Sequence, residues 1–368
     1  MRIGIDAREL CGRSTGVGRY LSGLLDEWSS QDDQRRHEFV LYAHTSLNYG
    51  FDSRRLLFRT VPGDGGTVWE QIHLPIAVRH DHLDVLFAPA YTAPLVGSIP
   101  TVVAIHDVSF LAHPEWFRTR EGLRRRLLTR RAAEAARAII AISEFSKREL
   151  LERLGIPEHR VHVVPPGVKP FVKAPSTAAR EPRLLFVGSI FNRRHVPDLI
   201  RAFAPLAERH PDVSLDIVGD NRSYPHEDVQ QAIASEGLNQ RVRWQQYVSE
   251  DALHALYATS RAFAFLSEYE GLGLPPLEGL AAGLPAVLLD TPVARESCGN
   301  AAIYVPLGER LAITNALEDV LFDENQRARM LAAAPAALAK YQWPHAASRT
   351  MAVLKQAASP SQPVSERE

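Results

Sequence analysis

Short apolar runs separated by amphipathic stretches recur along almost the whole chain, and this alternation limits the fold more than any other property of the sequence. An apolar run without polar alternation suits a strand buried on both faces. Helix-period stretches between such strands supply covering layers, so the pattern describes parallel sheets wound with helices on both sides. In the first half, strands are expected over Ile3–Asp6, Phe39–Ala43, Leu57–Val61, Val85–Ala88, Thr101–His106, Ala138–Ser143 and Val161–Val164. Helices are expected there over Val17–Trp28, Trp69–Val78, Glu115–Arg137 and Glu144–Leu154. The second half repeats the alternation, with strands over Leu184–Val187, Val213–Val218, Arg241–Trp244, Ala262–Leu266, Ala286–Leu289 and Ile303–Val305. Helices follow over Pro197–Arg209 and Glu227–Ser235, Ser249 caps another, and Arg310 to about Ala357 reads as helix.

A chain of 368 residues exceeds what one core usually organises, and two domains are the natural division. The stretch from Pro165 to Pro182 holds five prolines and ends without periodicity, which marks a linker. The expected organisation is a first Rossmann-like domain over 1–168, a linker over 169–182 and a second Rossmann-like domain over 183–340. A helix over 341–357 is expected to return to the first domain, ahead of a disordered tail over 358–368. A cleft between the two domains is expected to hold the ligand.

The formal net charge of −1 gives no global field for nucleic acid. Cys11 and Cys298 are the only cysteines, which fits a reducing compartment and leaves no disulfide framework. No His, Cys and Glu cluster has metal spacing and no Asp-x-Asp occurs, so no metal site and no obligatory metal are expected. Met1-Arg-Ile-Gly-Ile-Asp6 reads as a first strand rather than a signal peptide, and no apolar run suits a membrane span. A cytoplasmic protein is expected, with peripheral attachment at the inner face of the membrane through the basic stretch Arg118–Arg137. That stretch sets eight arginines against Glu121 and Glu134.

In doubly wound sheets ligands bind beyond the carboxyl ends of strands. The polar clusters Gly12 to Gly18, His106-Asp107, Gly188 to Arg194, Gly219-Asp220 and Glu270 to Glu278 all follow expected strands. Glu270-Gly-Leu-Gly-Leu-Pro-Pro-Leu-Glu278 sets two carboxylates around a glycine loop, with Glu270 on the loop and Glu278 in the first turn of a short helix. Such a pair either grips vicinal hydroxyls or consists of a solvated loop acid and a helix-dipole partner. Gly16-Val-Gly18 opens like a dinucleotide fingerprint, but Leu21 stands at the third glycine, so hydride chemistry is not indicated. Asp107 either orients the His106 ring or caps the next turn.

The glutamate pair with its intervening glycines resembles the signature of family 4 retaining glycosyltransferases, which have the GT-B fold of two facing Rossmann-like doubly wound domains. Thr15-Gly-Val-Gly-Arg-Tyr20, Trp69-Glu-Gln71, His106-Asp107, Pro114-Glu-Trp-Phe117, Ile142-Ser-Glu-Phe-Ser-Lys147 and Val164-Pro-Pro-Gly-Val168 are similar to further landmarks, in family order. The resemblance implies a nucleotide-diphosphate sugar held mainly by the second domain and an acceptor by the first. In that pattern Glu270 takes donor-sugar hydroxyls, with Gly271, Leu272, Gly273 and Leu274 beside it. Glu278 takes the ribose, Arg193 and Arg194 the leaving diphosphate after Gly188 and Ser189, His106 the sugar, and Gly16 and Gly18 bring backbone amides close. Many relatives carry Arg at Ser189, Lys at Arg194 and Asn at His195, and this chain departs from that pattern at all three positions.

The expected activity is retaining transfer of a hexose, mannose first, to a saccharide or lipid-linked acceptor in polysaccharide or glycoconjugate assembly. GDP-mannose is the leading donor, with UDP or another nucleotide sugar as the alternative, and no cofactor is expected. A sugar-nucleotide epimerase of similar fold, or a non-catalytic subunit that binds a sugar nucleotide, are the competing readings.

Overall fold

The computed structural model describes residues 1–12, 16–30, 37–47, 56–169 and 180–359. Most of the expected linker over 169–182 and of the tail over 358–368 lies outside these residues. The chain forms two compact units. Met1–Leu111, Gly122–Gly167 and the chain from Tyr341 onward make the first, while Ala112–Glu121 and Val168–Lys340 make the second.

The first unit is built on β1 (Arg2–Asp6), β2 (Glu38–Ala43), β3 (Leu56–Thr60), β4 (Val85–Ala88), β5 (Thr101–Ile105), β6 (Ala138–Ala141) and β7 (Val161–Val163). They pair in parallel in the order β3-β2-β1-β4-β5-β6-β7. Central strands are buried along their length, which is why they read as unbroken apolar runs. One face is covered by the helices Gly16–Ser30 and Trp343–Ala358. Trp28 stacks on Phe39 with ring centroids 5.2 Å apart and donates its indole N–H to the Ala347 carbonyl at 3.0 Å. Trp343 is wedged between two glycines. A methyl at Gly23 would lie 2.5 Å from its ring, and one at Gly167 would lie 2.4 Å from its backbone nitrogen.

The second unit repeats the architecture with β8 (Arg183–Val187), β9 (Ser214–Val218), β10 (Val242–Gln245), β11 (Ala262–Phe265), β12 (Ala286–Leu289) and β13 (Ala302–Val305). The order is β10-β9-β8-β11-β12-β13, again parallel. In each sheet the order reverses once, between β1 and β4 and between β8 and β11. Loops leaving the carboxyl ends at such a reversal diverge and open a crevice.

Several helices differ from expectation. The stretch Glu115–Arg137 is broken, because Phe117 is extended, with φ −126° and ψ 144°, between the turn Pro114–Trp116 and the helix Thr119–Ala135. Arg118 therefore stands outside the helix, with its guanidinium 5.8 Å from the Tyr224 ring centroid in the second unit. The stretch after Arg310 divides into Arg310–Phe322, Glu324–Leu338 and Trp343–Ala358. Asp323 ends the first of these and caps the second by accepting from the Gln326 amide at 2.9 Å. A further helix, Pro292–Cys298, follows β12 and begins with Thr291 as its cap and Pro292 in its first turn. Trp69–Val78 is helical, but its first half, Trp69–His73, has π geometry and only Leu74–Val78 is α.

Candidate active site

Glu270 lies on the loop after β11, and the residues around it come from three loops of the second sheet. Arg194 Nε donates to Glu270 Oε1 at 2.7 Å, and Ser267 Oγ donates to the same oxygen at 2.9 Å. Arg193 Nε stands 3.9 Å away. Burial pushes the Glu270 carboxyl upward, but the two guanidinium charges and these hydrogen bonds outweigh it and hold the pKa below the usual carboxylate value. An ionised carboxylate is thus kept in a nearly buried place. Its charge is balanced by cations of the same unit.

The two arginines have different surroundings. Arg194 is 8% exposed, its Nη1 donates to the Ser189 carbonyl at 2.8 Å, and its guanidinium lies 4.8 Å from the Phe265 ring centroid. Gly188, at φ 140°, leaves room for it, since a methyl there would stand 2.6 Å from Arg194 Nη1. Arg193 instead has its guanidinium 4.5 Å from the Phe191 ring centroid and 6.0 Å from that of Trp116, and its Nε has no hydrogen-bond partner among the described residues. Ser189 donates its hydroxyl to Asp220 at 2.7 Å.

His195, in the left-handed region at φ 46°, precedes the helix Val196–Arg209. Its ring lies 3.3 Å from both Asp198 and Glu268. Burial opposes its protonation, yet these two carboxylates win and raise its pKa above the ordinary value.

Glu278 corrects the sequence reading. Gly273 adopts φ 87° and caps the helix Leu274–Ala281, so Leu274, Pro275 and Pro276 form the first turn and Glu278 falls in the second. There Tyr257 donates its hydroxyl to Glu278 Oε2 at 3.3 Å. Gly271 and Leu272 are buried between the two glutamates. Glu270, Leu272 and Gly273 also wall a small cavity closed by Thr291, Ala294 and Ser297.

His106, Gly16 and Gly18 belong to the first unit. His106 follows β5 and is 9% exposed, with Tyr20 edge-on at 5.0 Å and Tyr91 at 5.4 Å. Its Nε2 lies 2.7 Å from the Pro89 carbonyl. A carbonyl only accepts, so Nε2 carries the proton and the neutral ring keeps its lone pair on Nδ1. Burial lowers the pKa of this ring, outweighing the Pro89 bond and the Asp107 charge, which favours the neutral form. Asp107 caps the next turn by accepting from the Ser109 amide at 2.8 Å and also accepts from the Tyr91 hydroxyl at 3.0 Å. Gly16 is exposed at the start of its helix, Gly18 is buried, and Leu21 is fully buried in the core.

Sequence reasoning missed Ser267, Phe191 and Phe265 around Glu270. It also missed a buried group at the end of β1, where Arg8 pairs with Asp6 at 3.0 Å and with Glu70. Thr92 donates to Glu70 at 2.5 Å, and burial, only partly offset by Arg8, pushes the Asp6 carboxyl up to about 6. The polar residues straight after an apolar first strand were the available signal.

Two doubly wound parallel sheets, each with a single strand-order reversal, have the architecture of the GT-B fold. A family model described as "Glycosyl transferases group 1" matches residues 169–336, and one described as "Glycosyltransferase Family 4" matches residues 14–170. The chain belongs to this glycosyltransferase family. It is 28% identical to an alpha-D-kanosaminyltransferase of Streptomyces kanamyceticus, over 71% of this chain and 72% of that one. It is also 28% identical to the serotype-specific mannosyltransferase WbdA of Escherichia coli, over 86% of this chain, but the match spans only 42% of WbdA. A GDP-mannose:cellobiosyl-diphosphopolyprenol alpha-mannosyltransferase of Xanthomonas oryzae is 28% identical over 71% of this chain and 68% of its own length. Among solved structures, Anabaena Alr3699/HepE in complex with UDP and glucose is similar at a TM-score of 0.76 and 20% identity, covering 97% of this chain and 100% of that one.

Proposed function

We propose that the protein is a retaining hexosyltransferase that moves mannose from GDP-mannose to a saccharide or lipid-linked acceptor in polysaccharide or glycoconjugate assembly. The observation that carries the reading is Glu270, held ionised beside Arg193 and Arg194 at a strand-end loop. An ionised carboxylate accepts strongly from vicinal sugar hydroxyls, and the arginines supply charge where a diphosphate would leave. Mannosyltransferases among the relatives support the sugar, and the Xanthomonas enzyme supports the base and the lipid-linked acceptor.

In this reading Glu278 binds the ribose, and Gly188 and Ser189 present backbone near the phosphates. The acceptor side falls to the first unit, where Gly16 and Gly18 bring backbone amides close and His106 offers Nδ1 to a sugar hydroxyl. The sugar C1–O bond to phosphate breaks with its electron pair leaving on the nucleoside diphosphate. The acceptor oxygen joins C1 on the same face, and its proton passes to the departing phosphate. Positioning and charge stabilisation then account for the rate, without a metal. Activity restored by manganese or magnesium to chelator-treated enzyme would overturn that last point.

The test compares nucleotide release by wild type and Glu270→Gln, alongside thermal shifts with GDP, UDP, ADP and dTDP. Loss of one such preorganised contact is expected to slow turnover on the order of 100-fold or more. Equal rates would remove Glu270 from the site. An altered sugar nucleotide made without acceptor would instead favour an epimerase.

A further inference from the structure

We infer that the first unit carries a docking face for an anionic lipid bilayer, formed by the helical stretch ending at Val78 and by the part of the arginine-bearing helix Thr119–Ala135 from Gly122 onward. Val68, Ile72 and Ile76 recur every four residues and are 57%, 53% and 52% exposed. On the second helix Leu123 and Leu127, again four apart, are 61% and 54% exposed. Arg124 donates to the Thr67 hydroxyl at 2.6 Å, so the two aliphatic rows meet beside Val68. Exposed apolar side chains scattered singly need no explanation, but rows that converge on one face do.

The chemistry of the face selects its occupant. Its aliphatic rows lie beside exposed arginines, so an apolar strip and positive charge share one face. Arg124, Arg125, Arg130 and Arg131 are exposed around the two leucines, with Glu134 as the exposed acid on that part of the helix. Arginine stems lie along an apolar surface while their heads reach phosphate, as an interfacial helix on anionic lipid requires. No helix of the described residues is long and apolar enough to cross a membrane, so the contact is interfacial.

A cavity at the end of the first row adds an independent mark. Beyond Ile76 the chain walls a space of about 370 Å³, lined by Pro75, Val78, Leu83 and Leu86 and bordered by Arg79 and His82. It adjoins the amino ends of β4 and β5, away from the strand ends that carry His106. Its volume is within the ordinary range of ligand pockets. His82 is held in the left-handed region at φ 47°. The aliphatic part of this wall, with Arg79 at its border, suits the end of a lipid chain beside an anionic head.

The proposal does not depend on the donor assigned above. Flotation of the full-length protein with phosphatidylcholine vesicles, with and without phosphatidylglycerol, tests it directly. Binding is expected only with the anionic lipid, falling on the order of tenfold at high salt. Similar losses are expected in Ile72→Ser/Ile76→Ser and in Arg79→Gln/Arg131→Gln, while nucleotide release and thermal stability stay at wild-type values. Absence of flotation at low salt, or equal binding by the variants, would overturn the proposal. So would self-association of the wild type in sedimentation that the isoleucine variant abolishes, since the face would then join copies of the chain.

Discussion

Arg194 and Glu270 illustrate how a single contact divides labour between neighbours. Both arginines stand at the loop proposed to hold the diphosphate, and Arg194 also binds Glu270 and the Ser189 carbonyl, which makes Arg193 the less engaged cation. Removing one partner of a buried pair strands the other, at a cost of roughly 3 to 5 kcal/mol, whereas removing both charges is far milder. Arg194→Ala is therefore expected to destabilise strongly in urea unfolding, and Arg194→Ala/Glu270→Gln to recover much of the loss. Additive losses in the double variant would show that the pair is not coupled. Arg193→Ala should leave stability near wild type. The residue types at this site were legible in the sequence, but the pairing was not, since Arg194 and Glu270 are 76 positions apart.

At the scale of elements, the sequence was most informative where local chemistry decides the outcome. Val85–Ala88 and Ala286–Leu289 have the bounds their apolar runs predict, and Glu144–Leu154 is fixed by the Ser143 cap and by Gly155 at φ 67°. The helix Pro292–Cys298 was missed although Thr291-Pro292 is a start signal, because it buries only Val293, Ser297 and Cys298 and so shows little periodicity. Glu278 was placed one turn early because the left-handed Gly273, which sets where the helix begins, leaves no mark beyond the glycine itself. Packing between distant elements was not legible either. Helix propensity favours Ala over Gly by about 1 kcal/mol, but at Gly23 a methyl would meet Trp343, which Gly167 pins from its other side. Overpacking of about 1 to 3 kcal/mol should prevail, so Gly23→Ala is expected to lower the unfolding midpoint. A raised midpoint would mean that Trp343 moves freely.

For the whole molecule, each unit has its own sheet, core and strand-order reversal, so each is expected to unfold as its own cooperative body. A nucleoside diphosphate at 100 times its dissociation constant stabilises what binds it by about 2.7 kcal/mol. Differential scanning calorimetry should then show the nucleotide raising one transition and Gly23→Ala lowering the other. A single transition moved by both would show that the units melt together. The alternation along the sequence made two doubly wound sheets legible, because strand burial is written locally. That Ala112–Glu121 groups with the second unit was not, because nothing in those residues names the sheet they join.

That grouping has a consequence for recombining this protein with its relatives. A chimera cut once in the proline-rich segment after Gly167 would inherit Ala112–Glu121, with Trp116 beside Arg193, from one parent and the rest of that unit from the other. It would likewise receive the helix Trp343–Ala358 from the wrong parent for the glycines that hold Trp343. Exchanging the second unit as a module therefore takes two grafts rather than one crossover, its body and the short insert, with the native C-terminal helix kept in place.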